Sequence, residues 1–243
     1  MIVINDLDIG FKEKAPIFSK ISVKADPGDI IALLGVNGVG KSTFLRTLCG
    51  VQEHLHGEIF IAGESTENYS APELATMISA VWTEKIYIEN ITVREFIAMG
   101  RTPYTGWFGN LSEEDYVVID MAITTAKLED MEYRLFNHLS DGEKQRVLIA
   151  RAICQDTPIL ILDEPTAYLD FRHKKSIYEL LTDRSALEGE GVTIFSTHDI
   201  QAAMQYANTF WLMTEEKEFV VVKNTEPEFR QIIMDKLKIQ ELV

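Results

Sequence analysis

The chain has 243 residues, of which 46% are hydrophobic and 25% are charged, and its formal net charge is −15. This length and composition predict one folded α/β domain, or one domain with a lobed subdivision, around a sizeable core. The acidic balance argues against a general nucleic-acid-binding face, which needs clustered Lys and Arg, and disfavours adhesion to anionic lipid.

The sequence contains no stretch near the roughly 18 consecutive apolar residues of a membrane-spanning helix. Its first residues, MIVINDLDIGF, show no basic segment before a long apolar core, so we expect no signal peptide. Cys49 and Cys154 lie in separate apolar helical patterns and are expected to be reduced core residues of a cytosolic protein. We interpret the basic run 172–175 as a solvated helix start.

Apolar runs bounded by turn residues predict nine strands, the last two forming a hairpin. They lie near 2–9, 19–25, 29–34, 58–62, 78–82, 158–163, 192–196, 209–213 and 218–223. Ser/Thr-x-x-acid patterns predict helices that begin at Ser70, Thr92, Ser112 and Thr225. Further helices are expected after the glycine loop at 35–40 and near 172–187 and 200–207.

The order of these elements indicates the architecture. Strands dominate up to residue 82, helices dominate from 92 to 155, and strands then alternate with helices. This order is typical of an α/β fold with a mainly parallel core sheet, an antiparallel N-terminal β portion and an inserted helical lobe. We expect a single domain over 1–243, with a core formed by 1–83 and 158–243 and a lobe formed by 84–157.

The stretch GVNGVGKST, residues 35–43, follows an apolar strand and precedes an amphipathic helix. It is G-x-x-x-x-G-K-[ST] in the strand–loop–helix setting of a P-loop NTPase. Such a loop points successive backbone N–H groups and a helix N-terminus at a phosphate. We predict Lys41 at the β- and γ-phosphates and Ser42 on Mg²⁺; the alternative is an incidental glycine turn. The predicted nucleotide-binding residues are Gly35, Val36, Asn37, Gly38, Val39, Gly40, Lys41, Ser42 and Thr43.

A second candidate lies in PILILDEPTAYLD, residues 158–170. The strand has no polar alternation, as expected when both faces are covered, and Asp163 follows at its carboxyl end, where open α/β sheets bind ligands. We predict that Asp163 holds Mg²⁺ and that Glu164 orients and deprotonates the attacking water. The alternative is that both acids cap the turn that Pro165 begins.

TIFSTHD, residues 193–199, repeats this arrangement of an apolar strand followed by polar residues. His198 is predicted to contact a γ-phosphate or the attacking water through a ring nitrogen, although a lone histidine at a strand end is more often structural.

LSDGE, residues 139–143, fits a capping box at a helix start, with Ser140 as N-cap and Glu143 three residues on. Together with the phosphate loop, the ILILDEPT strand, the turn Tyr168-Leu169-Asp170 and His198, it resembles the ATP-binding subunits of ABC transporters in order and approximate spacing, over essentially the whole chain. The resemblance implies an ATPase that uses ATP and Mg²⁺.

The resemblance also implies a homodimer, because in that family two phosphate loops and two signature helices enclose two ATPs between two subunits. The signature residues Ser140, Asp141, Gly142 and Glu143 would then face the ATP of the other subunit, with Ser140 and the Gly142 backbone at its γ-phosphate. Asp170 would lie at the dimer seam. Phe11 falls where the family has an aromatic that stacks on adenine; its alternative is an ordinary strand residue.

Two departures from the family pattern stand out. In the usual LSGGQ, Asp141 replaces one glycine and Glu143 replaces the glutamine, which brings negative charge toward a γ-phosphate. The family's glutamine at the end of the strand before the lobe, which touches Mg²⁺, is here Thr83, with Glu84 beside it. Either residue is a candidate to replace it.

Within the family, residues 92–109 look most like the subunits that power uptake of iron chelates, haem and vitamin B12. This implies integral membrane permease subunits, an extracytoplasmic substrate-binding protein and a position at the cytoplasmic face of the membrane, with no nucleic-acid partner. Tyr104, Trp107 and Phe108 are either a permease-docking patch or lobe core. The alternatives to an importer subunit are a soluble ABC ATPase acting on DNA or ribosomes and a weakly hydrolysing scaffold.

Overall fold

The computed structural model describes residues 1–84, 86–106, 108–167, 169–188 and 191–239, without the side chains of 183–188. Trp107 and Tyr168 lie outside the described residues. The strands and helices follow in this order: β1 (Ile2–Ile9), β2 (Phe18–Ala25), β3 (Ile30–Leu34), α1 (Lys41–Leu48), β4 (His56–Ile61), β5 (Glu64–Ser65), α2 (Ala71–Met77), β6 (Ile78–Val81), α3 (Val93–Ala98), α4 (Glu113–Thr125), α5 (Asp141–Cys154), β7 (Ile159–Leu162), α6 (Phe171–Glu188), β8 (Val192–Thr197), α7 (Ile200–Tyr206), β9 (Thr209–Met213), β10 (Phe219–Lys223) and α8 (Phe229–Leu237).

Two sheets form the core. The smaller sheet is antiparallel, in the order β2-β1-β4-β5, and the larger has the order β10-β9-β3-β8-β7-β6. Five strands of the larger sheet pair in parallel, and β10 adds the antiparallel edge. The predicted fold class is confirmed, namely a mainly parallel sheet with an antiparallel N-terminal β portion and an inserted helical region.

The larger sheet is covered on both faces, since nearly every residue of its central strands β3, β7 and β8 is buried. In β3, Ile31 and Leu33 pack into one core with the smaller sheet and Phe44 of α1. Ala32 and Leu34 alternate to the other core, which includes the helices of the lobe. In that lobe the rings of Phe96 and Phe136 stack with their centroids 4.5 Å apart.

A buried ion pair ties the lobe together. Arg101 Nε donates to Asp115 Oδ1 at 2.7 Å, and a second guanidinium nitrogen donates to the Cys154 carbonyl at 3.0 Å. The Tyr104 ring packs 4.0 Å from the Arg101 guanidinium carbon, and its hydroxyl donates to the Gln155 carbonyl at 2.9 Å. Tyr104 is therefore part of the lobe packing, whereas Phe108 is 87% exposed.

The strand predictions are confirmed to within about two residues, but the two-residue strand β5 was not predicted. Four capping boxes form, at Ser70, Thr92, Ser112 and Ser140. The helix start predicted at Thr225 is wrong. The Glu226 carboxylate accepts the Lys223 N–H in a turn, and α8 begins only at Phe229.

Both cysteines are free. Cys154 is buried as expected, and burial raises its pKa to about 12. Cys49 is partly buried and packs against the core at the C-terminal end of α1. Among the described residues, none of the helices combines the length and apolar character that crossing a membrane requires.

Candidate functional site

The candidate residues meet at one edge of the larger sheet. Parallel strands β3, β8, β7 and β6 are neighbours, so their carboxyl ends lie side by side. The phosphate loop follows β3, His198 follows β8, Asp163 and Glu164 follow β7, and Thr83 stands just after β6. Open α/β sheets bind ligands at this edge.

The phosphate loop has the backbone that its glycines permit. Gly38 has φ +79° and Gly40 has φ +122°, and a Cβ on Gly40 would lie 2.8 Å from a methyl of Ile17. The loop ends directly in α1, whose N-cap Gly40 makes no side-chain capping bond. The N–H groups of this first turn therefore form an anion site without a competing side-chain cap.

The Lys41 ammonium is buried beneath this loop. Its Nζ donates to the Gly35 carbonyl at 2.8 Å and lies 3.5 Å from Glu164 Oε1. The other oxygen of that carboxylate accepts from His198 Nδ1 at 3.0 Å. Because a carboxylate only accepts hydrogen bonds, the His198 proton is on Nδ1 in this pair. The structure thus brings together the three predicted catalytic residues.

Glu164 is held by its backbone as well. Its φ is +49°, an uncommon conformation for a residue other than glycine. Its N–H donates to Ser196 Oγ at 2.8 Å, and that hydroxyl donates to Asp163 Oδ1 at 2.7 Å. The second oxygen of Asp163 accepts from the Thr83 hydroxyl at 3.3 Å.

Ser196 was missed as a site residue by sequence reasoning. It is fully buried in β8 and stands two residues before His198. The available signal was a set of hydroxyl residues, Thr193, Ser196 and Thr197, in a strand predicted to be buried, where each side chain must find a polar partner.

The oxygen atoms at this edge suit a magnesium–nucleotide complex. Ser42 and Thr83 hydroxyls and the Asp163 carboxylate match the preference of Mg²⁺ for few carboxylates plus substrate phosphates. Within the described ranges no cluster of three or more His, Cys, Asp or Glu side chains provides an alternative metal site. Glu84 is engaged elsewhere, since its carboxylate pairs with Arg46 at 2.6 Å.

The signature helix α5 begins with a complete capping box. Glu143 Oε2 accepts the Ser140 N–H at 2.8 Å and the Ser140 hydroxyl at 2.7 Å. These hydrogen bonds, with a smaller contribution from Arg134, hold the pKa of Glu143 below its usual value. Ser140 itself is exposed, so this helix start faces the surface of the chain.

The remaining signature residues differ in burial. Gly142 is buried, and Asp141 lies with Lys144 and Gln145 on the wall of a cleft between lobe and core that Glu164 also lines. Asp170 precedes α6 on the surface. Phe11 follows β1, so the ordinary-strand alternative is wrong; it is half exposed and begins the loop that ends at Ile17, against Gly40.

A phosphate loop beside two acids and a histidine on adjacent strand ends defines a nucleoside triphosphatase site of the P-loop class. The family model described as ABC transporter matches residues 18–167. The chain therefore belongs to the ABC transporter family, as an ATP-binding subunit and an ATPase.

Its relatives include the petrobactin import ATP-binding protein FpuC of Bacillus anthracis, 34% identical over 89% of this chain and 79% of that protein. The ferric enterobactin transport ATP-binding protein FepC of Escherichia coli is 32% identical over 84% and 75%. Among solved structures, dimeric MJ0796, a bacterial ABC transporter cassette, superposes with a TM-score of 0.79 at 25% identity over 93% of this chain and all of that one.

Proposed function

We propose that this chain is the ATP-hydrolysing subunit of an ABC importer for a metal chelate. Two copies close on two Mg·ATP, and closure is passed to separate integral membrane permease subunits that receive cargo from an extracytoplasmic binding protein. Hydrolysis and phosphate release reopen the pair. The chain acts as a peripheral subunit at the cytoplasmic face of the membrane.

One observation carries this proposal: the phosphate-binding features are divided. Lys41, Glu164 and His198 contact one another at the sheet edge. Ser140 instead stands at an exposed helix start, where its hydroxyl is hydrogen-bonded to Glu143 of its own capping box. A second copy that presents this helix start would complete the pocket, which agrees with the dimeric cassette to which the chain is similar.

The roles within one half-pocket follow from the contacts. Amides of the phosphate loop and the Lys41 ammonium stabilise charge on the phosphates. Ser42, Asp163 and Thr83 would hold Mg²⁺, which would neutralise phosphate charge there. Glu164 accepts the proton of the attacking water, and His198, hydrogen-bonded to Glu164, lies on the side of the γ-phosphate. Phe11 stacks on adenine.

The second copy contributes the rest. Its Ser140 hydroxyl and Gly142 N–H, at the N-terminus of a 14-residue helix, bind the γ-phosphate. Its Asp170 lies at the seam. Glu143 adds negative charge beside this site, but its carboxylate is folded back onto Ser140 and Arg134.

The cargo class rests on the relatives. FpuC is named for petrobactin import, FepC for ferric enterobactin transport, and a third relative, HmuV of Streptomyces coelicolor, 34% identical over 82% of this chain and 69% of that protein, for hemin import. These cargoes are iron chelates or haem. We therefore propose an iron–siderophore or haem as the imported compound, with cobalamin as the further candidate that the resemblance of residues 92–109 implies.

The motor is tested with Glu164→Gln, which should bind ATP without turning it over. Light scattering with Mg·ATP should show a dimer, whereas Lys41→Ala/Glu164→Gln should remain a monomer because its phosphate loop is impaired. A Glu164→Gln protein that binds ATP but stays monomeric would contradict the shared pocket.

The cargo is tested by uptake in cells that lack this gene. Cells should lose uptake of one member of a panel of labelled iron–catecholate, iron–hydroxamate, haem and cobalamin. The wild-type gene should restore it, and Glu164→Gln should not. Unchanged uptake of the whole panel would reject metal-chelate import while leaving the ATPase assignment intact.

A further inference from the structure

His173, in the first turn of α6, lies directly on the glycine of the signature helix. A Cβ built on Gly142 would lie 2.4 Å from His173 Cδ2 and 2.7 Å from Cγ. A real Cβ does not approach other atoms this closely, so any side chain larger than glycine at position 142 requires the His173 ring or the backbone to shift. The Cβ direction points into its own chain, away from any phosphate met at the exposed start of the helix.

The same histidine also holds Asp170. One oxygen of Asp170, Oδ1, accepts the backbone N–H of His173 at 3.0 Å and ring Nδ1 at 2.9 Å. Because the carboxylate only accepts, the ring proton is on Nδ1. These two hydrogen bonds lower the pKa of Asp170 below its ordinary value of 3.8.

We propose that His173 is a positioning residue that joins Asp170 to the start of the signature helix, so that both meet the second subunit as one unit. This deepens the proposed function and rests on it, because the partner is a second copy of this chain. The signature helix belongs to the lobe and Asp170 to the core. By contacting both Gly142 and Asp170, the imidazole keeps the start of the signature helix and Asp170 in a fixed position relative to each other at the seam.

The two contacts of the ring can be separated by substitution. His173→Phe keeps a ring on Gly142 but loses the Nδ1 donor to Asp170. His173→Asn keeps a short side-chain donor for Asp170 but loses the ring. His173→Ala loses both contacts. Each variant is made in the Glu164→Gln protein, and the ATP concentration for half-maximal dimerisation is measured by light scattering, with thermal unfolding without nucleotide as the structural readout.

We expect His173→Ala to raise this ATP concentration about tenfold, a factor typical of one lost hydrogen bond to a charged group. The melting temperature should change by less than about 3 °C, because the contacts are near the surface. His173→Phe and His173→Asn should each require an intermediate ATP concentration for half-maximal dimerisation. The proposal would be overturned if the Glu164→Gln protein and its three His173 variants dimerised at the same ATP concentration. It would also be overturned if dimerisation weakened only in proportion to a fall in melting temperature.

Gly142→Ala supplies a second measurement. The added methyl group forces the ring aside, and the ring can leave only by releasing Asp170. Gly142→Ala should therefore weaken dimerisation in the presence of His173, and Gly142→Ala/His173→Ala should be no weaker than His173→Ala alone. Additive losses would show that the glycine is needed for a different reason and would overturn the proposal.

The Glu164→Gln protein without any further substitution distinguishes failure of the proposed function from failure of the positioning role of His173. If it does not dimerise with ATP, the proposed function fails and this proposal fails with it. If it dimerises and the His173 variants match it, only the positioning role fails.

Discussion

Ser196 donates its hydroxyl proton to Oδ1 of Asp163 across 2.7 Å, from one parallel strand to the next. The same hydroxyl accepts the N–H of Glu164 at 2.8 Å. One buried side chain on β8 thus fixes the orientation of the Asp163 carboxylate, which we propose binds Mg²⁺, and supports the positive φ of the following glutamate. Neither acid could hold its position equally well without it, because a buried polar group that loses its partner is destabilised.

Ser196→Ala should lower the ATPase kcat about tenfold and raise the Mg²⁺ concentration required for half-maximal rate, because Asp163 and Glu164 lose a common partner. Steady-state ATPase rates over a Mg²⁺ titration measure both effects. Ser79→Ala is a matched control, since Ser79 is equally buried and accepts the Thr157 hydroxyl at 2.9 Å at the opposite end of its strand. Equal kinetic losses in both variants would assign Ser196 a general structural role.

Much of this architecture was predictable because the signals are local. The phosphate loop, the capping boxes and the uninterrupted apolar strands each depend on residues within about ten positions of one another. The predicted order of strands and helices then allowed the lobe and the parallel sheet to be placed. The false helix start at Thr225 has a local cause too, since Glu226 closes a turn back onto Lys223 through its N–H and its carboxylate, and α8 begins three residues later.

The contacts that could not be predicted join residues distant in sequence. Ser196 reaches Asp163 because β8 lies beside β7, and His173 reaches Gly142 because α6 packs under the lobe. The order of elements along the sequence does not show which side chains of two distant segments will meet. Thr83 and Glu84 illustrate the same point, because only the structure shows that the first faces Asp163 and the second faces Arg46.

Thr83→Gln should preserve or increase ATPase activity if Thr83 occupies the place of the family's glutamine beside Mg²⁺. The longer amide extends further toward the proposed Mg²⁺ site than the present hydroxyl, which lies 3.3 Å from Asp163 Oδ2. ATPase rates at limiting Mg²⁺ measure the effect, and Glu84→Gln should change them little because its carboxylate pairs with Arg46. Loss of activity in a folded Thr83→Gln protein would contradict this assignment.

Glu143→Gln should strengthen ATP-driven dimerisation severalfold. The substitution removes a negative charge beside the proposed γ-phosphate site and weakens the competition for the Ser140 hydroxyl, which Glu143 now binds at 2.7 Å. The measurement is the ATP concentration for half-maximal dimerisation of the Glu164→Gln protein.

Glu73→Gln is the control for Glu143→Gln. Glu73 forms the same capping box with Ser70, so it should lose a similar amount of helix capping without a change in dimerisation. A shift of equal size in both variants would reject a role at the nucleotide.

Asp115→Asn should destabilise the lobe by about 3 kcal/mol at neutral pH, because it leaves the buried Arg101 guanidinium without its charged partner. Hydrogen bonds from Ser112 and Arg101 lower the pKa of Asp115 below its ordinary value of 3.8. The carboxylate therefore stabilises the fold above pH 3.8, and this contribution is lost as the pH falls through the lowered pKa.

Thermal unfolding of the wild-type and Asp115→Asn proteins from pH 7 into acid measures their difference in stability, which should shrink below pH 3.8. Asp120→Asn is the control. It removes the carboxylate that pairs with Arg94, and the Asp120 side chain is largely exposed. It should cost less than about 1 kcal/mol. A pH-independent difference for Asp115→Asn would point to packing rather than charge.

The most direct test of a pocket shared between two chains is to mix two inactive variants. Lys41→Ala impairs the phosphate loop, and Ser140→Arg blocks the helix start that the other subunit's ATP would meet. A mixed dimer contains one pocket with both lesions and one with neither. Random assortment should therefore restore about a quarter of the wild-type ATPase rate if the two pockets act independently.

Mixing Lys41→Ala with Glu164→Gln is the control. Both lesions lie on the phosphate-loop side of the pocket, so every mixed dimer has one lesion in each of its two pockets. Mixed dimers that form but stay inactive with Ser140→Arg would show that each chain hydrolyses ATP without the signature of the other.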